Sequence, residues 1–418
     1  MLQLLPRHQE ATHSFQYPNQ HPTLIGVAWD GLPFYAARMI RRAIDDAPAP
    51  VCVVSIGEPP QPRHVIEAAL GQDVRWNGDR DSAIGWQQLA GRVPAVAITS
   101  GWRCEASLRL AREVRQHGGV TCLMADNPWR GTLRQHVGRI VFGRSLRDLF
   151  TYAWVPGRAA VPLMRYLGFP EDRILTGLYG ADPAIFTPGP ALAERPKQFV
   201  FVGRLVRQKA VDILEEAFVG SRAAAEGWRL AIIGDGPLRK HRWPRGIQWV
   251  GGQDPHCVAH WLRLSRCLVL PSRMENWGVV VHEASSAGCA ILVSQAVGAQ
   301  CDLVSDENGL VVPPRSVAAL RAAMDAMSRW SPERWTAAGE KSLELAGQFG
   351  PETWRRQFQT LCNAAQPFRT PSGEPTQSGC SPRATIHRGL ADVAGSPGGA
   401  FGTGSGRPRH MAEAFLAR

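Results

Sequence analysis

Short apolar runs alternate with amphipathic stretches from Thr23 onward. TLIGVAW at 23–29 is apolar and partly β-branched, DGLP follows as a turn, and FYAARMIRRAID then carries apolar residues at helical spacing. That succession reads as strand, loop and helix. It continues through PVCVVSIG, PAVAITS, the helical SLRLAREVRQHG, VTCLMA, RIVFG as a further strand, TYAWVPG and the helical RAAVPLMRYLG. Strands that alternate with helices predict a parallel sheet covered on both faces.

The period is lost in RILTGLYGADPAIFTPGPALAERP, which is dense in Pro and Gly, and residues 177–197 read as a linker. Alternation then restarts with FVFVG, VDILEEAF, RLAIIGDGP, IQWVGG, HCVAHWLRLS, CLVLPS, VVVHEASSAG, AILVS and GLVVPP, and helices are predicted over 316–328, 331–347 and 351–362. The expected organisation is an extension over 1–22, a Rossmann-like α/β domain over 23–176, the linker, and a second Rossmann-like α/β domain over 198–365. From Gln366 the chain is rich in Gly, Pro and Ser with few large apolar residues, which predicts a disordered tail over 366–418. Open parallel sheets bind ligands beyond the carboxyl ends of their strands, so functional residues are expected in strand-to-helix loops beside an inter-domain cleft.

Composition narrows the classes. With 418 residues, 44% of them hydrophobic, the chain has material for two or three cores, and no apolar run approaches the roughly 20 residues that span a bilayer. The opening MLQLLPRHQEATHSF lacks a secretory apolar core, so a soluble cytoplasmic protein is expected. Nine cysteines without a C-x-x-C pair predict buried reduced thiols, neither disulfides nor a zinc site. The net charge is +11, but the 43 arginines are scattered and no basic-aromatic stripe or helix-turn-helix appears, so no nucleic-acid partner is expected.

The chemistry concentrates in three loops. In PSRMENWGVVVHEASSAG, Glu275 and Glu283 stand eight residues apart, and Asn276, Trp277 and Gly278 open a helix whose free N–H groups and dipole suit an anion. Carboxylates on either side of a phosphate cradle match a ligand with hydroxyls on both sides of its phosphates, as in a nucleotide-sugar. In FVFVGRLVRQKAVDIL, Arg204 and Lys209 follow a strand and can bring two cations to one diphosphate. Lys209 stands out because the chain holds only four lysines. The loop after RLAII, with Gly234 and Gly236 around Asp235, lets backbone approach a ligand closely.

G-R-L-x-x-x-K, G-D-G-P, ENWGVVVHE and ENGLVVPP, in this order over about 198–315 and preceded by YGADPAIFTP, resemble the retaining GT-B glycosyltransferases of family 4 (group 1). The resemblance implies an α/β GT-B fold of two Rossmann-like domains and transfer of a hexose from a nucleoside-diphosphate sugar to a growing glycan, lipid-linked among the options, in cell-surface polysaccharide synthesis. It implies that Arg204 and Lys209 hold the diphosphate, that Glu283 takes the ribose hydroxyls and Glu275 those of the sugar. Backbone near Gly234, Val250 and Gly251 would meet the donor and its base, and Asn276, Trp277 and Gly278 its phosphate and sugar. No cofactor and no catalytic metal are implied. Ala210 departs from the family, which usually has glycine there; its small size makes the departure minor.

The first domain resembles the family less. Where relatives place a histidine after a strand, this chain has Asp126, open to two readings: a catalytic sugar contact or a turn cap. Asp30, Gly31, Trp129 and Arg130 are acceptor-side candidates. Asp79-Arg80-Asp81 is a D-x-D pair but reads as an exposed turn, and Arg38, Arg41 and Arg42 share a helix face open to solvation or to anionic lipid at the inner face of the plasma membrane. Two further functions remain open, a nucleotide-sugar epimerase or hydrolase and a non-catalytic sugar-nucleotide binder. A dehydrogenase is disfavoured because no G-x-G-x-x-G follows a strand.

Overall fold

The structure, a computed structural model, describes residues 24–365. The expected extension over 1–22, Thr23 and the expected tail over 366–418 lie outside the described residues.

Two parallel sheets carry the fold. The first contains β1 (Ile25–Asp30), β2 (Val51–Ile56), β3 (Arg75–Asn77), β4 (Val96–Ser100), β5 (Val120–Met124), β6 (Tyr152–Trp154) and β7 (Ile174–Leu175), in the order 3-2-1-4-5-6-7. The second contains β8 (Gln198–Val202), β9 (Arg229–Ile233), β10 (Ile247–Gly251), β11 (Cys267–Leu270), β12 (Ala290–Ser294) and β13 (Gly309–Val312), in the order 10-9-8-11-12-13. Central strands such as VTCLM and CLVL are buried along their whole length, as expected where helices cover both faces. Both sheets are doubly wound and Rossmann-like.

Two sequence expectations are corrected, and two short strands that the sequence did not mark are present. RIVFG forms no strand; it lies inside the helix Leu133–Ser145. A capping box of Thr132 and Gln135 starts that helix, and local capping outweighs the β-branched composition of Ile140 and Val141. β3 and β7, only three and two residues long, carry too few apolar positions to show a period. The last helix, Pro351–Ala364, was grouped with 198–365, yet it buries Trp354, Phe358 and Leu361 in the core of the first domain against Met39 and Ile40.

The segment drawn as a linker is pinned to the second domain. Phe186 and Leu192 enter its core, and the buried Arg195 guanidinium donates to the carbonyls of Pro190, Leu262, Ser265 and Ala287 at 2.7–3.2 Å. The Arg38–Arg42 face is tied down as well. Arg38 pairs with Asp182 at 2.5 Å, Arg41 with Asp45 at 3.2 Å and Arg42 with Glu352 at 2.7 Å, so this face is not the free lipid-facing cation cluster the sequence left open. All eight cysteines among the described residues are free thiols, and no helix among those residues is long and apolar enough to cross a membrane.

Candidate functional site

The topology of the second sheet places the site. Strand order reverses between β8 and β11, so the loops leaving these neighbours diverge and open a crevice at their carboxyl ends. One loop runs from Gly203 to Lys209 and the other from Pro271 to Gly278. The first is zipped to the loop after β9: Gly203 N–H donates to Ile233 O at 2.9 Å, Leu205 N–H to Asp235 O at 2.8 Å, and Leu238 N–H to Leu205 O at 2.9 Å. The contact is so close that a Cβ on Gly234 would sit 1.9 Å from the Gly203 carbonyl oxygen, and one on Gly236 2.6 Å from that of Leu205. These glycines are required by backbone packing as much as by a ligand.

Lys209 and Glu275, from the two loops, form an ion pair with each side chain about 15% exposed. The Glu275 loop is strapped to the one after β12, with Glu275 N–H donating to Ala296 O at 3.0 Å and Gly298 N–H to Glu275 O at 3.2 Å. The helix Val279–Ser286 begins after Gly278 and puts Glu283 a little over one turn in. Burial pushes the Glu283 carboxyl up to about 7, while the Lys209 charge pulls it the other way. Lys209 thus pairs with Glu275 while its charge acts on Glu283.

Ala210 adopts a left-handed conformation, φ 58° and ψ 38°, between the Lys209 turn and the following helix. Size is therefore not what the position demands; the backbone asks for glycine, and alanine bears a cost of about 1–2 kcal/mol there.

Residues of the first domain reach this crevice. Asn276 Nδ2 donates to Asp126 Oδ1 at 3.2 Å, and Arg130 donates to Asn276 Oδ1 at 2.9 Å and to the Met274 sulfur at 3.0 Å. Tyr179 stands beside Asp126 and packs edge-on against Tyr35, ring centroids 5.5 Å apart. Burial raises the Asp126 carboxyl, opposed chiefly by the Asn276 hydrogen bond and reinforced by the charge of Glu275. Asp126 is thus no isolated turn cap but one end of a polar cluster that joins both domains. Trp129 packs at a tilt on Tyr166, ring centroids 4.4 Å apart, and, with Arg130, Gln208 and Met274, borders a cavity of 790 Å³. Gln208 and Met274 are the chain neighbours of Lys209 and Glu275.

Other candidates stand apart. Asp30, at the end of β1, accepts from Arg80 at 2.8 Å, and Gly31, φ 62°, turns beneath it with its N–H on Ile56 O. Neither meets Trp129 or Arg130. Asp79 caps its own turn by accepting from Asp81 N–H at 2.9 Å. Trp277 is 2% exposed and packs on Phe349 at 5.3 Å, which leaves only its backbone for a ligand. Gly251 accepts from Gly234 N–H at 2.8 Å and the Trp249 indole donates to Gly234 O at 2.9 Å, so Trp249 and Gly251 brace the Gly234 turn, while Val250 O accepts from Gln253 at 3.1 Å. Arg204 is exposed beside the crevice. Sequence reasoning overlooked Tyr35, Tyr179 and Gly298; YGADPAIFTP contains Tyr179, but nothing in its spacing points across the chain to Asp126.

Behind the site, His282 is buried and bridges three segments. Its Nδ1 accepts from Ala181 N–H at 2.7 Å and its Nε2 donates to Ala346 O at 3.0 Å, which needs a neutral ring. Burial drops it to about 4 from 6.5. The unfolded chain gains this proton below pH 6.5 and the folded chain only near 4, so about 3 kcal/mol of stability disappears as pH falls across that window. Glu283 acts oppositely: its folded-state pKa is raised from 4.5, so its contribution is lost as pH climbs from 4.5 to about 7. The Glu283→Gln variant should accordingly gain about 3 kcal/mol in urea unfolding between pH 4 and 6.5, and adding His282→Asn should abolish that rise.

With this geometry in place, comparison with known proteins gives a consistent result. Residues 186–342 match the family model described as glycosyl transferases group 1. The chain is 28% identical over 274 residues to a glycogen synthase of Mycobacterium tuberculosis, covering 61% of each chain. It is 28% identical over 173 residues to the D-rhamnosyltransferase WbpZ of Pseudomonas aeruginosa, covering 39% of this chain and 42% of that one. The chain thus spans about three-fifths of the length of the first of these relatives. Among solved structures, Anabaena HepE in complex with UDP and glucose superposes with a TM-score of 0.61 at 13% identity over 82% of this chain and all of that one. Sucrose-phosphate synthase from Thermosynechococcus elongatus gives 0.60 at 16% identity, over 82% of this chain and 98% of that one. The fold is GT-B, two Rossmann-like α/β domains, as expected.

Proposed function

We propose that the chain is a retaining glycosyltransferase of family 4 that moves a hexose from a nucleoside-diphosphate sugar to a glycan acceptor. The observation that carries it is the convergence of Lys209, Glu275 and Glu283 at the β8/β11 crevice, within the segment that matches group 1 transferases. HepE, which shares the fold, is in complex with UDP and glucose, which supports a nucleotide-sugar as the donor.

In this reading the donor diphosphate displaces Glu275 from Lys209 and rests against Lys209, Arg204 and the N–H groups at the start of the Val279–Ser286 helix. Freed Glu275 accepts from sugar hydroxyls and ionised Glu283 from the ribose. The C1–O bond to phosphate breaks while the acceptor oxygen bonds C1 on the same face, and the acceptor proton passes to the departing phosphate. Two cations stabilise the charge that grows there, without a catalytic metal. Asp126, held by Asn276, contacts sugar or acceptor hydroxyls, and the glycan enters past Trp129 and Arg130.

The test is calorimetric titration of UDP-, GDP- and ADP-sugars with chelator and with magnesium, then transfer assays with the donor that binds. One nucleotide should bind equally with and without metal. Affinity should rise as pH passes through 7, because only ionised Glu283 accepts both ribose hydroxyls. Glu283→Gln should flatten that dependence and weaken binding by roughly 10–100-fold, the worth of hydrogen bonds to a charged group. Donor consumed as fast without acceptor would instead make the chain a hydrolase or epimerase, and binding without turnover a sensor.

A further inference from the structure

The 790 Å³ cavity beside the crevice carries charge of one sign. Four arginines line it, Arg130 from the first domain and Arg207, Arg273 and Arg315 from the second, and no Asp or Glu stands among the described lining residues. Two of the four are occupied. Arg130 donates to Asn276 and Met274, and Arg273 holds both carboxylate oxygens of Asp212 at 2.7 and 2.8 Å and the Arg207 carbonyl at 2.6 Å. The guanidinium groups of Arg207 and Arg315 make no hydrogen bond, ion pair or ring contact among the described residues. The carboxylates that adjoin the lining, Glu275, Asp302 and Asp212, are taken by Lys209, Arg158 and Arg273. Nothing in the wall therefore answers the charge of Arg207 and Arg315.

The backbone singles out Arg315 as well. It stands at φ 63°, and the only other non-glycine residue with left-handed backbone among the described residues is Ala210, beside Lys209. That conformation favours glycine, and the exposed Arg315 side chain gains no internal contact to offset its cost, which is the pattern of strain kept for a ligand. The rest of the wall indicates the ligand. Trp129 is the one aromatic ring of the described lining, held by Tyr166 and, edge-on, by His136 at 5.4 Å, and Gln295 adds an amide without a side-chain partner. An indole suits the C–H face of a sugar ring, an amide its hydroxyls, and two guanidinium forks a carboxylate or phosphate. A neutral saccharide would leave both cations unanswered, and the donor diphosphate has Lys209 and Arg204.

We infer that this cavity takes a saccharide bearing a carboxylate or a phosphate, with the anion at Arg207 and Arg315 and the ring on Trp129. As the acceptor site of the transfer it rests on the transferase reading above; as an anion site it does not. Gln208 and Met274, the chain neighbours of Lys209 and Glu275, join the cavity to the donor crevice, so an anionic acceptor seated here lies next to the sugar to be transferred.

Ligand-observed NMR on the full chain tests it, with methyl glucuronide, glucose 6-phosphate and neutral methyl glucoside as probes and no donor present. At least one anionic probe should bind about tenfold tighter than the glucoside, by an advantage that shrinks as salt rises, and whichever does so distinguishes a uronate from a sugar phosphate. Arg207→Gln/Arg315→Gly should cut that advantage to about twofold or less. Its melting temperature should not fall, because glycine suits φ 63° and both side chains are exposed. Equal binding of all three probes, no binding by either anion, or an advantage that the double variant keeps would overturn the inference. So would displacement of the anion by the nucleotide that binds as donor, which would put it in the diphosphate site. In transfer assays with an anionic acceptor the double variant should raise KM about tenfold with kcat little changed. The two readings fail separately: absence of nucleotide binding removes the transferase and leaves the probe result standing, whereas a neutral acceptor used as well as its uronate counterpart removes the anion site and leaves the transferase.

Discussion

Lys209→Ala is expected to lower turnover by roughly a hundred- to a thousandfold, the loss seen when one preorganised donor to a developing negative charge is removed. Donor affinity should fall much less, because the phosphate acquires its extra charge only as the C1–O bond breaks. The variant has a second signature. Lys209 is the one charge that lowers the Glu283 carboxyl against burial, so without it Glu283 should titrate above about 7. The pH at which donor binding strengthens should move upward with it. Steady-state kinetics and a pH series of binding isotherms read the two effects separately. If kcat and the binding profile both match the wild type, the assignment of Lys209 to the donor phosphate is wrong. Lys209→Arg is an informative companion: it keeps the charge but replaces a compact ammonium by a planar fork, and should recover only part of the rate.

Gly234→Ala is expected to cost at least about 3 kcal/mol of stability and to abolish donor binding. Two penalties combine: the residue sits at φ 135°, and its new Cβ would lie 1.9 Å from the Gly203 carbonyl oxygen, a backbone atom that cannot rotate away. Relief requires the Gly203–Leu205 loop to part from the turn after β9, which carries Arg204 and Lys209 out of place. Gly227→Ala is the internal control. Gly227 has φ 85° but open space around it, so it should lose only about 1 kcal/mol, the conformational share alone. Urea unfolding of the two variants separates clash from conformation. Equal losses would show that the close approach is not what holds these loops together.

Sequence and structure agree on the second domain for a physical reason. Each of its signals is local: an apolar strand, then a loop with Gly, Arg and Lys, or with Glu, Asn and Gly, then a helix start. A strand-to-helix unit carries its chemistry at a known end, so Glu275, Glu283 and Lys209 could be placed together once a parallel sheet was granted. In the first domain the signals were ambiguous at the same local level. RIVFG has the composition of a strand, and the Thr132–Gln135 capping box and the anchoring of Phe142 decide for a helix. Ala210 shows the same limit in reverse: residue size could be read from the chain, but a backbone turned to φ 58° could not.

The sequence by itself determined the alternation of strands and helices, the two sheets, and the loops rich in glycine, arginine, lysine and glutamate. All of these rest on periodicity and chemistry over a few consecutive residues. Only the tertiary structure decided that Lys209 pairs with Glu275, that Asp126 joins Asn276 across two domains with Tyr179 beside it, and that the last helix packs beside the first. Those partners lie tens to hundreds of positions apart along the chain, and no local pattern encodes a distance that long-range packing must close. Burial decided the remainder. A carboxyl held near 7 at Glu283, a neutral ring at His282 and an apolar stripe left outside at Leu133–Val141 depend on how much water each group loses, which a side chain's neighbours in space determine and its neighbours in sequence do not.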